Sequence, residues 1–310
     1  MNSIIRALGI LLVGTAFQLF ASENKKIEDL FKSGQAKVEK GDLDGALDDY
    51  NHAIELDPKD ARAYGNRGIV KEDKGDHVGA VADYNKAIEL DPKDAIAYGN
   101  RGVSKQATGD MTGAISDYSR AIELNPTDWM NYNNLGIARA VKGDFDGALE
   151  DYNHAIELKP TYAKVYYSRG KAKQIKGDQN AAIADFNRAI ELDPKDADAY
   201  DDRGISKALI KDPDGATADF NRSIELNPKV ANPYFNRGRV KQLKNDFDGA
   251  IADFNRTIEL DPKHAATYYY RGFAKRSKGD LKGAEADFNN ATQLDPKFTA
   301  PANSTATPKP

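Results

Sequence analysis

The chain has 310 residues, a formal net charge of -4, and a composition 40% hydrophobic and 30% charged. That length admits two ordinary domains or one long array, and the near-balanced charge argues against nucleic acid as the main partner, because phosphate binding needs a cationic surface. The absence of cysteine excludes disulfides, thiolate catalysis, a lipid-modified cysteine and cysteine-ligated metal.

The first 21 residues differ from everything after them. Arg6 is followed by an uncharged run, Ala7 to Phe20, and then by Ala21, a small residue of the kind a signal peptidase requires. The pattern predicts a secretory signal peptide over 1–21, with an uncleaved membrane anchor as the alternative. The run is shorter than the ~20 apolar residues of a comfortable membrane span. The cleaved form would be periplasmic or secreted, and residues 22–26 read as a short linker.

Beyond the linker the chain is periodic. Proline recurs at 58, 92, 126, 160, 194, 228, 262 and 296, always 34 residues apart. Placing each proline at repeat position 32 gives eight gapless units: 27–60, 61–94, 95–128, 129–162, 163–196, 197–230, 231–264 and 265–298. Each unit reads as two helices. Helix A occupies positions 1–14, as in Ala61 to Lys74. A Gly-Asp pair follows, as at Gly75-Asp76; the glycine can close helix A in a left-handed conformation and the aspartate can cap helix B. Helix B then runs to Leu90, with Ala80, Val81, Tyr84, Ala87 and Ile88 at spacings of three and four. Asp-Pro-Lys closes the unit, since proline stops helix B.

Three positions predict how the helices meet. Position 8 is glycine in all eight units, from Gly34 to Gly272. Glycine inside a helix costs ~1 kcal/mol relative to alanine, so its recurrence requires a close approach. Position 20 is always alanine, and the pattern predicts that Gly68 faces Ala80 and so on through the chain. Position 24 is always aromatic, from Tyr50 to Phe288, and position 4 is tyrosine in seven units; both read as core.

This pattern resembles the tetratricopeptide repeat, over all of 27–298. The resemblance rests on the period of 34, the aromatics at positions 4 and 24, glycine at 8, alanine at 20, a small residue at 27 and proline at 32. It implies an all-α, right-handed superhelical solenoid of eight antiparallel helix pairs, whose helix A surfaces line a concave groove that holds a peptide or partner helix. Chaperone-binding members grip a carboxylate with lysine at position 5 and asparagine at position 9. Neither occurs here, so that clamp is not supported.

The sequence departs from the family at position 7, arginine in six units where leucine is usual, and at position 11, always lysine or arginine where tyrosine is usual. The two positions share a helical face, and position 23 is aspartate in every unit. An ion-pair ladder between helix A cations and helix B aspartates is one account; a cationic strip for an acidic ligand is the other. In the last unit Glu285 and Thr292 replace apolar residues, as a terminal repeat with a solvated end requires. Residues 299–310 read as a disordered tail. Unit six is irregular around Lys211, Pro213 and Thr217, and its turn is expected to be the weakest joint.

No constellation carries catalytic chemistry. The four histidines form no His-x-x-x-His or Glu-x-x-His pair, and the Asp-rich turns, such as Asp144-Phe145-Asp146, lack a calcium loop's terminal glutamate. No phosphate-cradling loop or serine-nucleophile motif is present. The expectation is a non-enzymatic scaffold with no cofactor or metal, binding a protein or peptide. By the resemblance, helix A positions 2, 5, 6, 9, 12 and 13 face the groove. Units two and three are sparse there, with Gly65, Asn66, Gly99 and Asn100. Aromatics interleaved with charges make good anchors, which places the candidate surface at Lys164, Tyr167, Lys171, Asp201, Asp202, Phe235, Asn236, Arg239, Tyr269, Tyr270, Phe273 and Arg276. The alternatives are ordinary variable surface at these positions, a self-associating homo-oligomer, and a cell-wall or carbohydrate module using Tyr167, Phe235 and Tyr269.

Overall fold

The computed structural model describes residues 22–299. The signal segment and the tail beyond 299 lie outside the described residues. Among these, every regular element is a helix. The chain divides into two compact bodies after Leu158. The N-terminal body holds α1 (22–39), α2 (Leu43–Leu56), α3 (Ala61–Asp73), α4 (His77–Leu90), α5 (Ala95–Ala107), α6 (Met111–Leu124), α7 (Trp129–Val141) and α8 (Phe145–Leu158). The C-terminal body holds α9 (Ala163–Ile175), α10 (Gln179–Leu192), α11 (Ala197–Leu209), α12 (Pro213–Leu226), α13 (Asn232–Leu243), α14 (Phe247–Leu260), α15 (Ala265–Ser277) and α16 (Leu281–Leu294). Odd-numbered helices are the helix A of the sequence units, and even-numbered helices are helix B. Residues 22–26, expected as a linker, are helical and form the start of α1.

Within each body helix A packs on its own helix B, helix B packs on the next helix A, and successive helix A elements touch. The turn chemistry explains the pairing. Gly75 has φ +79, ending α3, and the Asp76 carboxylate accepts the Gly79 amide at 2.9 Å, capping α4. The Asp-rich turn at 144 does the same job, with Asp144 accepting from the Gly147 amide at 3.0 Å. In units six and seven, Lys211 and Asn245 replace the turn glycine yet keep φ near +65 and +63. A side chain there is strained, so the irregular turn of unit six keeps its geometry at a cost in energy. Pro213 at the first turn of α12 fits, since its missing N–H would be unbonded anyway.

The close approach at position 8 involves an aromatic ring of helix B. A Cβ on Gly68 would meet the Tyr84 ring at 2.7 Å, and one on Gly204 would meet the Phe220 ring at 2.7 Å. The aromatic of position 24 therefore lies against the glycine. The ring extends beyond the buried alanine one turn earlier and reaches across to helix A. Tyr84, Tyr118, Phe186, Phe220 and Phe254 are almost fully buried by this contact.

Helix A cations pair with the helix B aspartates. Arg67 holds both oxygens of Asp83, at 2.9 Å through Nε and 2.6 Å through Nη2, while Lys71 reaches the same carboxylate at 2.8 Å. A further nitrogen of Arg67 donates to Asn51 of the preceding unit at 2.8 Å. The bidentate pair recurs as Arg101–Asp117, Arg169–Asp185, Arg203–Asp219, Arg237–Asp253 and Arg271–Asp287, each with one contact of 2.6 Å. The guanidinium also lies over the tyrosine of position 4, as Arg67 over Tyr64 at 5.6 Å. Tyr64 in turn donates to the Pro58 carbonyl at 3.3 Å, tying the arginine to the turn between units. The departures from the family at positions 7 and 11 are therefore a structural ladder. Units one and four are the exceptions: Ser33 and Leu135 stand at position 7, so Asp49 has Lys37 at 2.7 Å and Asp151 has Arg139 at 2.8 Å, with no position-7 arginine. Burial pushes the Asp151 carboxyl up to about 6 despite Arg139.

Candidate functional site

Residues that the helix A–helix B frame does not consume lie on the helix A faces. In the C-terminal body these are the variable positions of α9, α11, α13 and α15. Their spacing brings position 5 of one unit beside position 6 of the next. Tyr167 accordingly donates from its hydroxyl to Asp202 at 2.8 Å, and Lys171 reaches the other oxygen of Asp202 at 2.8 Å. Gln174 joins them, donating to the Asp202 carbonyl and to the Ser206 hydroxyl, each at 2.9 Å. Burial, reinforced by the Asp202 charge, raises the Tyr167 phenol above its ordinary value. One helix later Asn236 donates to Asp201 at 3.1 Å. Burial pushes the Asp201 carboxyl up to about 6, against the stabilising amide of Asn236 and with help from neighbouring Asp202.

The aromatic candidates are also tied inward. Phe235 packs 6.0 Å from Phe254, 5.7 Å from Tyr270 and 4.8 Å from His264. Tyr269 packs on Phe273 at 4.9 Å and on Phe298 at 5.3 Å. Phe273 is only 3% exposed and belongs to the core with Ala284 and Phe288. It is therefore corrected from candidate anchor to core residue: position 9 of the last unit turns toward the α16 ring. Tyr167, Lys171 and Asp202 likewise form a fixed bridge between α9 and α11, so their polar ends are already committed. The rings of Tyr167, Phe235 and Tyr269, considered as sugar platforms, all pack against other rings.

Three cationic candidates remain outward-looking. Lys164 is exposed. Arg239 lies over the Tyr270 ring at 4.6 Å, and Arg276 lies over the Phe273 ring at 4.7 Å. Neither arginine has a carboxylate partner among the described residues. Beside Arg239 is a pocket of about 120 Å³ lined by Ile205, Ala208, Leu209, Phe220, Asn236, Val240 and Leu243. Sequence reasoning passed over Leu209 and Leu243. Their signal was present: position 13, at the solvent end of helix A, carries Ile175, Leu209 and Leu243 in three successive units, all more than half exposed.

Comparison with known proteins fits this architecture. A family model described as TPR repeat matches residues 34–75 and 140–174. Models described as tetratricopeptide repeat match 61–94 and 163–196, 95–128, and 235–297. The chain is a tetratricopeptide repeat protein. The solved structure of MamA is similar at 32% identity, with a TM-score of 0.50, over 53% of this chain and 96% of that one. A tetratricopeptide repeat protein from Parabacteroides merdae ATCC 43184 matches at 20% identity and a TM-score of 0.59, over 84% of this chain and 99% of that one. YrrB, a TPR protein with an unusual peptide-binding site, matches at 24% identity and a TM-score of 0.52, over 59% of this chain and 95% of that one. The last two likenesses establish the fold alone. No curated protein matches the chain. Among the described residues of this TPR chain, no helix is long and apolar enough to cross a membrane.

Proposed function

We propose that the chain is a non-enzymatic scaffold, exported to the cell envelope, that binds a protein or peptide partner through its helix A surfaces. The observation that carries this reading is the division of labour within the repeats. Positions 7, 8, 11, 20, 23 and 24 are spent on the fold, and the helix A elements of the C-terminal body retain an apolar pocket lined in part by Arg239, which has no carboxylate partner among the described residues. A partly buried cation beside exposed aliphatic side chains is the composition of an anchor site. Export rests on the three-part pattern of residues 1–21. Self-association by end-to-end stacking is disfavoured, because Phe298 folds back over Tyr269 and its carbonyl accepts from Thr292 at 2.7 Å.

A photocrosslinking residue placed at Leu209 should capture a discrete partner from the native envelope fraction, while one placed at the outward helix B residue Asn187 should not. Equal labelling from both sites, or none from either, sinks the binding reading. N-terminal sequencing of envelope-fraction protein should begin at Ser22; an intact Met1 would replace cleavage by an anchor.

A further inference from the structure

The joints between successive units are not built alike. Inside the two bodies, helix B of one unit meets helix A of the next at α2–α3, α4–α5, α6–α7, α10–α11, α12–α13 and α14–α15. At every one but α6–α7, among the described residues, the ladder arginine serves two units. It holds the aspartate of its own unit and donates a further nitrogen to the position-25 asparagine of the unit before. These ties are Arg67 to Asn51, Arg101 to Asn85, Arg203 to Asn187, Arg237 to Asn221 and Arg271 to Asn255, each at 2.7 or 2.8 Å.

At α6–α7 both ends of the tie are replaced. Leu135 stands for the arginine and Ser119 for the asparagine. The Ser119 hydroxyl donates instead to the Ile115 carbonyl of its own helix, at 2.8 Å. A second contact is weakened in parallel. Lys74 meets Asp44, Lys244 meets Asp214 and Lys278 meets Asp248 across their joints, whereas Lys142 meets the uncharged Thr112 hydroxyl, at 3.0 Å. The joints with Thr108 and Ile210 in place of that lysine are tied between helix A elements: Ser104 donates to Glu72, and Tyr167 and Lys171 donate to Asp202. Between α5 and α7, Gly99 presents bare backbone to Asn131, whose amide turns to Asp128 at 2.9 Å. The contact that fills α6–α7 is apolar. Leu135 and Ala138 pack on Ala114 and Tyr118, with Met111, Ile115 and Ile122 around them.

The two kinds of joint differ in stiffness more than in strength. A guanidinium bonded to a carboxylate on one side and an amide on the other fixes an angle, because hydrogen bonds weaken steeply as they bend. Burial of aliphatic surface can stabilise as much as a buried ion pair, but it is non-directional. Leu135 can therefore hold unit four on unit three and leave the angle between them soft. Unit six, despite its irregular turn, keeps the arginine tie at both of its joints.

We propose that the α6–α7 joint is the bending point of the N-terminal body, about which units one to three turn relative to unit four. The helix A face changes its curvature there, between α5 and α7, while α2–α3 and α4–α5 keep their angles.

The full chain has no cysteine, so cysteines introduced in pairs at repeat position 29, exposed on helix B, are the sole sites for spin labels. Glu89→Cys with Glu157→Cys spans α4–α5 and α6–α7. Two control pairs span tied joints alone: Glu55→Cys with Glu123→Cys, and Glu191→Cys with Glu259→Cys. All three pairs lie two units apart at the same repeat position. The distance distribution from pulsed electron spin resonance should be about twofold broader for the first pair than for the controls, since a bidentate arginine adds geometric specificity. Ser119→Asn with Leu135→Arg installs the missing tie, and gives Asp151 the bidentate partner that Arg101 gives Asp117. It should narrow the first distribution to the control width. Asn85→Ser with Arg101→Leu removes a tie inside the Glu55–Glu123 span and should broaden that distribution. Equal widths for the three pairs overturn the proposal. So does a first distribution unmoved by the installed tie in a chain with unchanged circular dichroism. If the installed arginine unfolds the chain, the removal exchange decides: an unbroadened distribution in a folded protein overturns the proposal, and a broadened one upholds it.

Discussion

The helix A faces of the two bodies are built on one frame and carry opposite chemistry. In the N-terminal body positions 5, 6 and 9 of α3 and α5 hold Gly65, Asn66, Ile69, Gly99, Asn100 and Val103, with Ile96 and Met130 70% and 53% exposed further along. In the C-terminal body the same positions hold Tyr167, Lys171, Asp201, Asp202, Phe235, Asn236, Arg239, Tyr269 and Tyr270. A reader of the sequence is drawn to the second set, and its polar groups turn out mostly to bind one another. A half-buried carboxylate or phenol must find a partner or bear the cost of desolvation, and the next helix A is the nearest source. Chemical richness on a repeat face therefore measures how firmly successive helices are tied as much as how well they bind. What is left uncommitted is small and identifiable: two arginines on rings and an aliphatic pocket.

The largest expected effect tests what the bodies share. Asp117 in the N-terminal body and Asp219 in the C-terminal body are 3% and 4% exposed, and each holds one arginine and one lysine. Asp117→Ala and Asp219→Ala leave two cations facing an apolar core, and each should cost about 3 kcal/mol or more. Because repeat arrays need not unfold in one step, hydrogen exchange of the surrounding helices is the proper readout. Comparable loss of protection in both bodies is expected. A loss below ~1 kcal/mol in either would mean that the ladder is ornamental there and that its cations are free for ligands after all.

A smaller effect separates the bodies by pH. Each has one aspartate that burial pushes up to about 6, Asp151 where Leu135 replaces the ladder arginine and Asp201 where a neutral amide is the partner. With folded-state values above the ordinary 3.8, the folded chain holds these protons more tightly than the unfolded one. Their contribution to stability is therefore complete below about pH 4 and is lost as pH rises through about 6. At 1.36 kcal/mol per unit the loss is at most ~3 kcal/mol per site. Asp151→Asn should flatten the pH dependence of exchange in the N-terminal helices alone, and Asp201→Asn in the C-terminal helices alone. A slope unmoved by its own substitution would locate the titration elsewhere.

Much of the fold was legible because the repeat states it eight times over. The helix pairs, the Gly75-type turn, the Asp76-type cap and the pairing of positions 7 and 11 with position 23 follow from residue type and spacing. Two things were not legible. That a ring also reaches the position-8 glycine depends on how far it extends across a helix pair, which spacing within one helix does not reveal; the Phe220 ring stands against Gly204. The fate of the variable residues depends on the offset between successive helix A elements. That offset sets position 5 beside the following position 6, and so joins Tyr167 to Asp202 and Asp201 to Asn236. The Leu209–Leu243 pocket was missed for a related reason, since each leucine is unremarkable singly and becomes a site only when the next helix stands beside it.

The smallest effect sharpens the comparison most, because it changes sign between two helix A glycines, one at position 5 and one at position 8. Gly204 cannot accept a side chain without moving the Phe220 ring, since a Cβ would stand 2.7 Å from it. Gly65 lies equally within a helix, yet a Cβ there would meet nothing within 4 Å. Helix propensity alone predicts that Gly65→Ala stabilises the N-terminal body by up to ~1 kcal/mol, whereas Gly204→Ala destabilises its own by about 1–3 kcal/mol through overpacking. Thermal unfolding combined with exchange of α3 and α11 would show both. If Gly65→Ala destabilised α3, the glycine would be serving the fold, and the bare N-terminal face would be another consequence of packing. If it stabilised α3 as expected, packing would give no reason for the glycine, and the bare backbone of α3 would have to be explained by something that approaches it from outside.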